Sequence, residues 1–186
     1  AAIMLAKLLL GPAVPLGWML FGLGVLAFYF FSVTHLGALS AKLKEKDFLL
    51  LLFLGTWFYN AVWIVGLYLF FSVVTGNPFE FGSTDAFSYH TAAQALTEGN
   101  LSPLLGEKLQ DRGAVFYYGA CYWAFFNSIL ASRLVNAFFV ALTILVIYKL
   151  SCSCARNKPM ARLAAIMAML YPGFALFAGH SLKESF

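Results

Sequence analysis

Asp85 is the residue best placed to do chemistry in this chain of 186 residues. It lies in 75–113, the one long polar interruption of an otherwise apolar sequence. That stretch holds five of the eight acids, Glu80, Asp85, Glu98, Glu107 and Asp111. Ser83-Thr84-Asp85, followed by Phe87, Tyr89, His90, Ala92, Ala93 and Leu96, reads as a capped amphipathic helix over 85–98 with a carboxylate at its mouth. A carboxylate so held can take the proton of an attacking hydroxyl. It can equally cap the helix by accepting backbone N–H bonds, the commoner role of Asp at such a position. A helix N-terminus keeps the carboxylate ionised and weakens it as a base. Tyr89 falls one turn later on the face continued by Ala92 and Leu96, where packing is the ordinary role. His90 points about a quarter-turn away and reads as a surface histidine.

The elements that must position these groups are membrane helices. The chain is 62% hydrophobic and 11% charged, with a mean hydropathy of +0.82, whereas a soluble domain carries roughly 25% charged residues. We expect an all-α integral membrane protein with about four transmembrane helices, at 14–33, 48–74, 132–150 and 163–179. The loop 75–131 is then the first large external loop, with the amphipathic helix 85–98 and an interfacial helix 114–130. Reading 114–130 as a span would break the charge bias of the loops, and its Tyr117, Tyr118, Tyr122 and Trp123 suit the headgroup level. Gly11, Gly17, Gly22 and Gly24 offer close helix contact in the first span. The chain begins without Met and stops at Ser185-Phe186, so we expect a fragment of a longer bundle.

Lysine and arginine set the orientation. The loops 34–47 and 149–162 hold seven of the twelve basic residues, which assigns both to the cytoplasmic side. Loop 75–131 and the tail carrying Lys183 and Glu184 then share the non-cytoplasmic face of a multi-pass protein, in a bacterial inner membrane or an ER-type membrane. The spans themselves read as free of charge, which argues against a transporter-like bundle. A net charge of +4 spread over a few loops gives no nucleic-acid footprint; membrane lipids are the anionic neighbours. Cys121, Cys152 and Cys154 have no metal-ligand spacing and read as free thiols. There is no glycine-rich phosphate loop, His-Glu-x-x-His or nucleophile elbow.

The run Asp85-Ala-Phe-Ser-Tyr89-His90-Thr-Ala-Ala93-Gln-Ala-Leu96-Thr-Glu-Gly99 resembles the first external loop of GT-C membrane glycosyltransferases, in particular the protein-mannosyltransferase-like branch. Tyr171-Pro172-Gly173-Phe174 with Leu182-Lys183-Glu184-Ser185 is similar to that family's Pro-containing helix end followed by Leu-x-Glu-Ser/Thr. Arg133-Leu-Val-Asn136-Ala, with Leu142-Thr143 and Tyr148, resembles the helix between them. The resemblance covers about 85–186 and would make this chain the N-terminal part of such an enzyme. Many relatives carry a second acid directly after the loop Asp; here that position is Ala86.

The resemblance implies a polyprenyl-phosphate-linked sugar donor and a lipid, glycan or protein acceptor. Because the departing phosphate is a stable anion, one carboxylate base suffices, and a single displacement inverts the anomeric carbon; Asp85 is that base. Growing negative charge on the phosphate calls for cations, and Arg112, Lys183 and His90 are the external candidates, with Lys108 a weaker one and Tyr89 beside them. Arg112 and Lys183 can instead anchor the protein at lipid phosphates. Glu184 would orient the acceptor, pair with a basic residue, or join Asp85 around a divalent ion such as Mg or Mn; no cofactor is otherwise indicated. The rival readings are a non-catalytic membrane subunit or scaffold and, behind it, a transporter-like bundle.

Overall fold

The computed structural model describes residues 16–79, 84–102, 112–155 and 157–180. Among them the chain forms seven helices and no strand: α1 Leu16–Ser40, α2 Glu45–Thr75, α3 Thr84–Thr97, α4 Arg112–Ala124, α5 Ile129–Ala155, α6 Lys158–Met169 and α7 Pro172–His180. Three described stretches are long and apolar enough to cross a bilayer: Met19–Ser40, Glu45–Thr75 and Ile129–Ala155. At 1.5 Å per residue α2 is about 46 Å long, more than the roughly 30 Å hydrocarbon core. It must therefore tilt or project.

α1 is apolar all round, with Phe21, Phe28, Phe30 and Phe31 each more than half exposed. Such a surface suits lipid chains and would aggregate in water. The helix does not stop at Val33 as expected but continues to Ser40, because its polar residues are satisfied without leaving it. The Thr34 hydroxyl donates to the Phe30 and Phe31 carbonyls, each at 2.9 Å, and the His35 ring stacks on Phe31 with centroids 5.9 Å apart. Of the glycines expected to bring helices together, Gly17, Gly22 and Gly24 meet nothing within 4 Å of where a Cβ would stand.

α2 and α5 form the central pair. α2 buries Phe48, Leu52, Thr56, Asn60 and Ile64 at a spacing of four, and α5 buries Arg133, Ala137, Val140, Ile144 and Tyr148. Both stripes follow the helical period, so each helix turns one face to its partner. Thr56 and Asn60 lie in this seam, and their side chains bond back to their own helix, Thr56 to the Leu52 carbonyl at 2.6 Å and Asn60 to that of Thr56 at 2.8 Å. At one end the Phe48 and Tyr148 rings lie 5.2 Å apart and Lys158 meets Glu45 at 2.6 Å. The two basic loops of the sequence thus meet at one end of the bundle. At the other end α2 closes on Gly76, whose φ of 69° is the left-handed C-cap that glycine adopts freely, and Arg133 reaches the Pro78 carbonyl at 3.2 Å.

The stretch expected to be one span over 163–179 is two helices of 12 and 9 residues. Pro172 brings no N–H and disfavours helix at the residue before it, so α6 ends and α7 restarts after Tyr171. At the break the Tyr29 hydroxyl of α1 donates to the Met167 carbonyl at 2.9 Å. α7 lies tight on α2: a methyl at Gly179 would stand 3.0 Å from Leu67 and 3.7 Å from Trp63.

The helix expected over 114–130 ends at Ala124. Phe126 and Asn127 take φ of 54° and 59°, a reversal that costs little for Asn and more for Phe. It is held by Asn127 N–H on the Tyr122 carbonyl at 2.9 Å and by the Thr97 hydroxyl on Asn127 Oδ1 at 3.1 Å. Ile129 and Leu130 consequently belong to α5.

Candidate functional site

α3 buries Ala86, Tyr89, Ala92 and Ala93 on one face at helical spacing, and Tyr89, Ala92 and Ala93 pack with Ala114, Val115, Tyr118 and Tyr122 of α4. Small residues let the backbones approach: a Cβ on Gly119 would sit 3.1 Å from Leu96 Cδ1. Gly99, at φ 81°, closes α3, with Gly99 and Asn100 N–H groups returned to the Leu96 and Ala95 carbonyls. The opposite face, with Asp85, Phe87, Ser88 and Thr91, is exposed.

Asp85 sits in the first turn of α3. It is exposed, and among the described residues its side chain meets no hydrogen-bond or ion-pair partner. Arg112 opens α4, exposed and likewise without an ion pair among the described residues. Tyr89 is 6% exposed and belongs to the α3–α4 core. Lys183, Glu184 and Lys108 lie outside the described residues.

His90 is not a surface histidine. It is half-buried, its Nδ1 lies 2.8 Å from the Tyr122 hydroxyl, and its ring meets Phe79 with centroids 5.2 Å apart. Burial first, and the nearby Arg133 charge second, hold its pKa below the usual 6.5. The imidazole is therefore neutral at pH 7 and offers a phosphate one N–H at most. Burial pushes the Tyr122 phenol up to about 12, against the opposing pull of Arg133 and the neighbouring Ser132 hydroxyl.

Behind this pair lies a polar cluster built on Arg133 and Asn136, which the sequence presents only as part of a family pattern and not as site residues. Arg133, in the second turn of α5, is fully buried; besides its bond to Pro78, its guanidinium lies 5.9 Å from the centre of the Phe79 ring. Asn136, also fully buried, accepts from the Tyr117 hydroxyl at 2.7 Å and donates towards Tyr118 Oη and the Ala178 carbonyl, both at 3.4 Å. Burial, foremost, drives the Tyr117 phenol far above its ordinary range and raises the Cys121 thiol; neither ionises near neutrality. Three residues of α5, Ser132, Arg133 and Asn136, thus join α4, α7 and the turn after α2. An arginine three residues before an asparagine at the start of an apolar run was the available signal. Because α5 begins at Ile129, Arg133 is inside that apolar helix, and the reading of charge-free spans is corrected.

Among the described residues no three His, Cys, Asp or Glu side chains come together. Ala86, where relatives of the resembled family carry a second acid, is 1% exposed and packed. The described residues therefore do not assemble a divalent-ion site around Asp85. Compared with family models, curated proteins and solved structures, the chain gives no match.

Proposed function

We propose that this chain is the membrane-embedded N-terminal part of a glycosyltransferase that moves a sugar from a polyprenyl-phosphate donor to an acceptor hydroxyl, with inversion and with Asp85 as general base. One observation carries the reading: an exposed carboxylate with no side-chain partner among the described residues, in the first turn of a helix docked where α2 ends and α5 begins, the bundle end away from the basic loops. The acceptor O–H gives its proton to Asp85, its oxygen bonds to the anomeric carbon, and the bond from that carbon to the phosphate oxygen breaks with its electron pair leaving on the phosphate. Such a proton transfer contributes typically about 10² to 10⁴ in rate. Arg112 is the described cation free to meet the departing phosphate, and Lys183 is the proposed second. Arg133 is a positioning residue, holding the Pro78–Phe79 turn that leads into α3. In this reading α6 and α7 together make a fourth, broken crossing, as transporters and lipid-handling enzymes build around sites, and the basic end faces the cytoplasm.

A second reading, a non-catalytic membrane subunit, is favoured by Tyr89 and His90 both being engaged in the α3–α4 interface. Membranes containing the protein, given a polyprenyl-phosphate sugar, separate the two. Transfer that disappears in Asp85→Asn at unchanged abundance supports the enzyme; absence of any transfer, or transfer kept by the variant, supports the subunit.

A further inference from the structure

The outward face of α4 is unlike that of α3. Where α3 shows Asp85, Ser88 and Thr91, α4 turns Tyr118 and Tyr122 inward and leaves Phe116, Ala120 and Trp123 outside. Those three stand at i, i+4 and i+7, one stripe of a helix. Trp123 is 80% exposed, and the reversal beyond α4 adds Phe125 and Phe126, the latter 96% exposed. From Gly113 to Ser132 the chain holds no Asp, Glu, Lys, Arg or His, although a soluble domain carries roughly 25% charged residues. A contiguous aromatic surface of this kind marks a place where something docks.

Three observations select the bilayer as what covers it. The surface is continuous with that of α5, which is long and apolar enough to cross a membrane. The Tyr117 ring of α4 lies 6.1 Å from that of Phe139, and Phe139 belongs to an exposed apolar stripe with Leu142 and Val146. Protein interfaces have a polar rim, whereas the exposed neighbours Ala120 and Ala124 bring no polar group. Phe126 takes φ 54°, which is uncommon for a bulky side chain. Its turn is tied by the Asn127 N–H on the Tyr122 carbonyl and by Thr97 on Asn127, so the ring is held outward by a fixed backbone. A residue kept in such a conformation by its surroundings points to a use for it. Since α4 meets α5 at Asn136 and Phe139, in the first half of that helix, it lies towards one end of the span. Aromatic side chains there sit between headgroups and acyl chains.

We propose that Phe116, Trp123, Phe125 and Phe126 form an aromatic ledge inserted into the bilayer at the boundary of headgroups and acyl chains, and that this ledge pins the α3–α4 pair to the membrane surface. The occupant is lipid. The ledge does not depend on the glycosyltransferase reading.

The full chain is reconstituted in vesicles of phosphatidylcholine carrying bromine, a contact quencher of tryptophan, either near the headgroup or near the chain end. Parent and Trp123→Phe are compared, and the emission that disappears with Trp123 is the signal read. Trp57, 38% exposed near the middle of α2, remains in both and serves as the reference for chain-end bromine. Adding Phe126→Trp to Trp123→Phe moves the reporter into the turn. At both positions the emission should be lost to headgroup-side bromine and less so to chain-end bromine. Emission from Trp123 that neither bromine quenches, the result when a second copy or another protein segment covers the ledge, overturns the proposal. Stronger quenching from the chain end overturns it as well, because α4 would then be part of a crossing. Trp123→Phe alters one exposed ring, so the first comparison decides even where the turn variant fails to fold.

Discussion

His90 and Tyr122 are joined across the α3–α4 interface by a 2.8 Å hydrogen bond, and the imidazole in that bond is held neutral by burial and by Arg133. A depressed folded pKa fixes the sign of the pH response. Between the folded value and the unfolded 6.5, the unfolded chain holds more protons, so the contribution is complete above the unfolded value and is lost as pH falls through the folded one. Melting in detergent should therefore shift to lower temperature as the pH drops from 7.5 towards 5 (roughly the range over which histidine titrates). The downward shift should shrink in His90→Phe. An identical pH slope in the variant would assign the response to other groups.

Removing only the hydroxyl, as in Tyr122→Phe, should cost about 0.5 to 1.5 kcal/mol, the usual worth of one internal hydrogen bond. Hydrogen exchange is the informative readout: amides of 84–97 should exchange faster while those of α2 and α5 do not change. Uniform acceleration throughout the bundle would mean that α3 does not open separately.

If Asp85 is the base proposed, Asp85→Asn should lower sugar transfer by about a hundredfold or more with little effect on donor KM, since a group acting in the transition state is then lost. Arg112→Ala should raise donor KM and leave acceptor KM in place. If Arg112→Ala alters both equally, Arg112 anchors the chain and does not meet the donor phosphate.

Gly119 and Gly22 make a matched pair. Leucine at position 119 must displace Leu96, and overpacking of this kind typically costs about 1 to 3 kcal/mol; leucine at position 22 meets open space and should be nearly neutral. Urea or thermal unfolding of the two variants decides. A strong effect of Gly22→Leu would show that α1 has a partner on that face.

Arg133→Met leaves the half-buried Pro78 carbonyl without its donor, a loss of about 1 kcal/mol. Because Arg133 also lowers the pKa of His90, the same substitution should move the histidine titration upward, as an NMR titration of the imidazole would read. A stable variant with an unmoved His90 titration would remove Arg133 from the site.

Much of the architecture was legible in composition and charge. Long, predominantly apolar runs mark α2 and α5, and basic loops that meet at one end follow from the alternation of spans. Local chemistry marks α3, where Ser83-Thr84-Asp85 opens an alternation of small and aromatic residues. The turn at Phe126–Asn127 was not legible: it contains neither Gly nor Pro, and it is fixed by Thr97, thirty residues away. Hydropathy likewise passed over the break at Pro172, since the residues on both sides are apolar. The role of Arg133 and Asn136, which the sequence presents only as part of a family pattern, was hidden for a different reason: it lies in partners on three other elements, which no spacing along the chain reveals.

On the proposed glycosyltransferase reading, the bond from Tyr29 to the Met167 carbonyl has a bearing on how a long prenyl chain would come and go. That carbonyl is left over where Pro172 interrupts the helical ladder, and in hydrocarbon no water stands ready to replace the phenol. Drawing α1 aside from α6 would strand it. The flank between those helices is thus latched, and a tail sliding in from the bilayer is expected to choose a doorway elsewhere around the bundle.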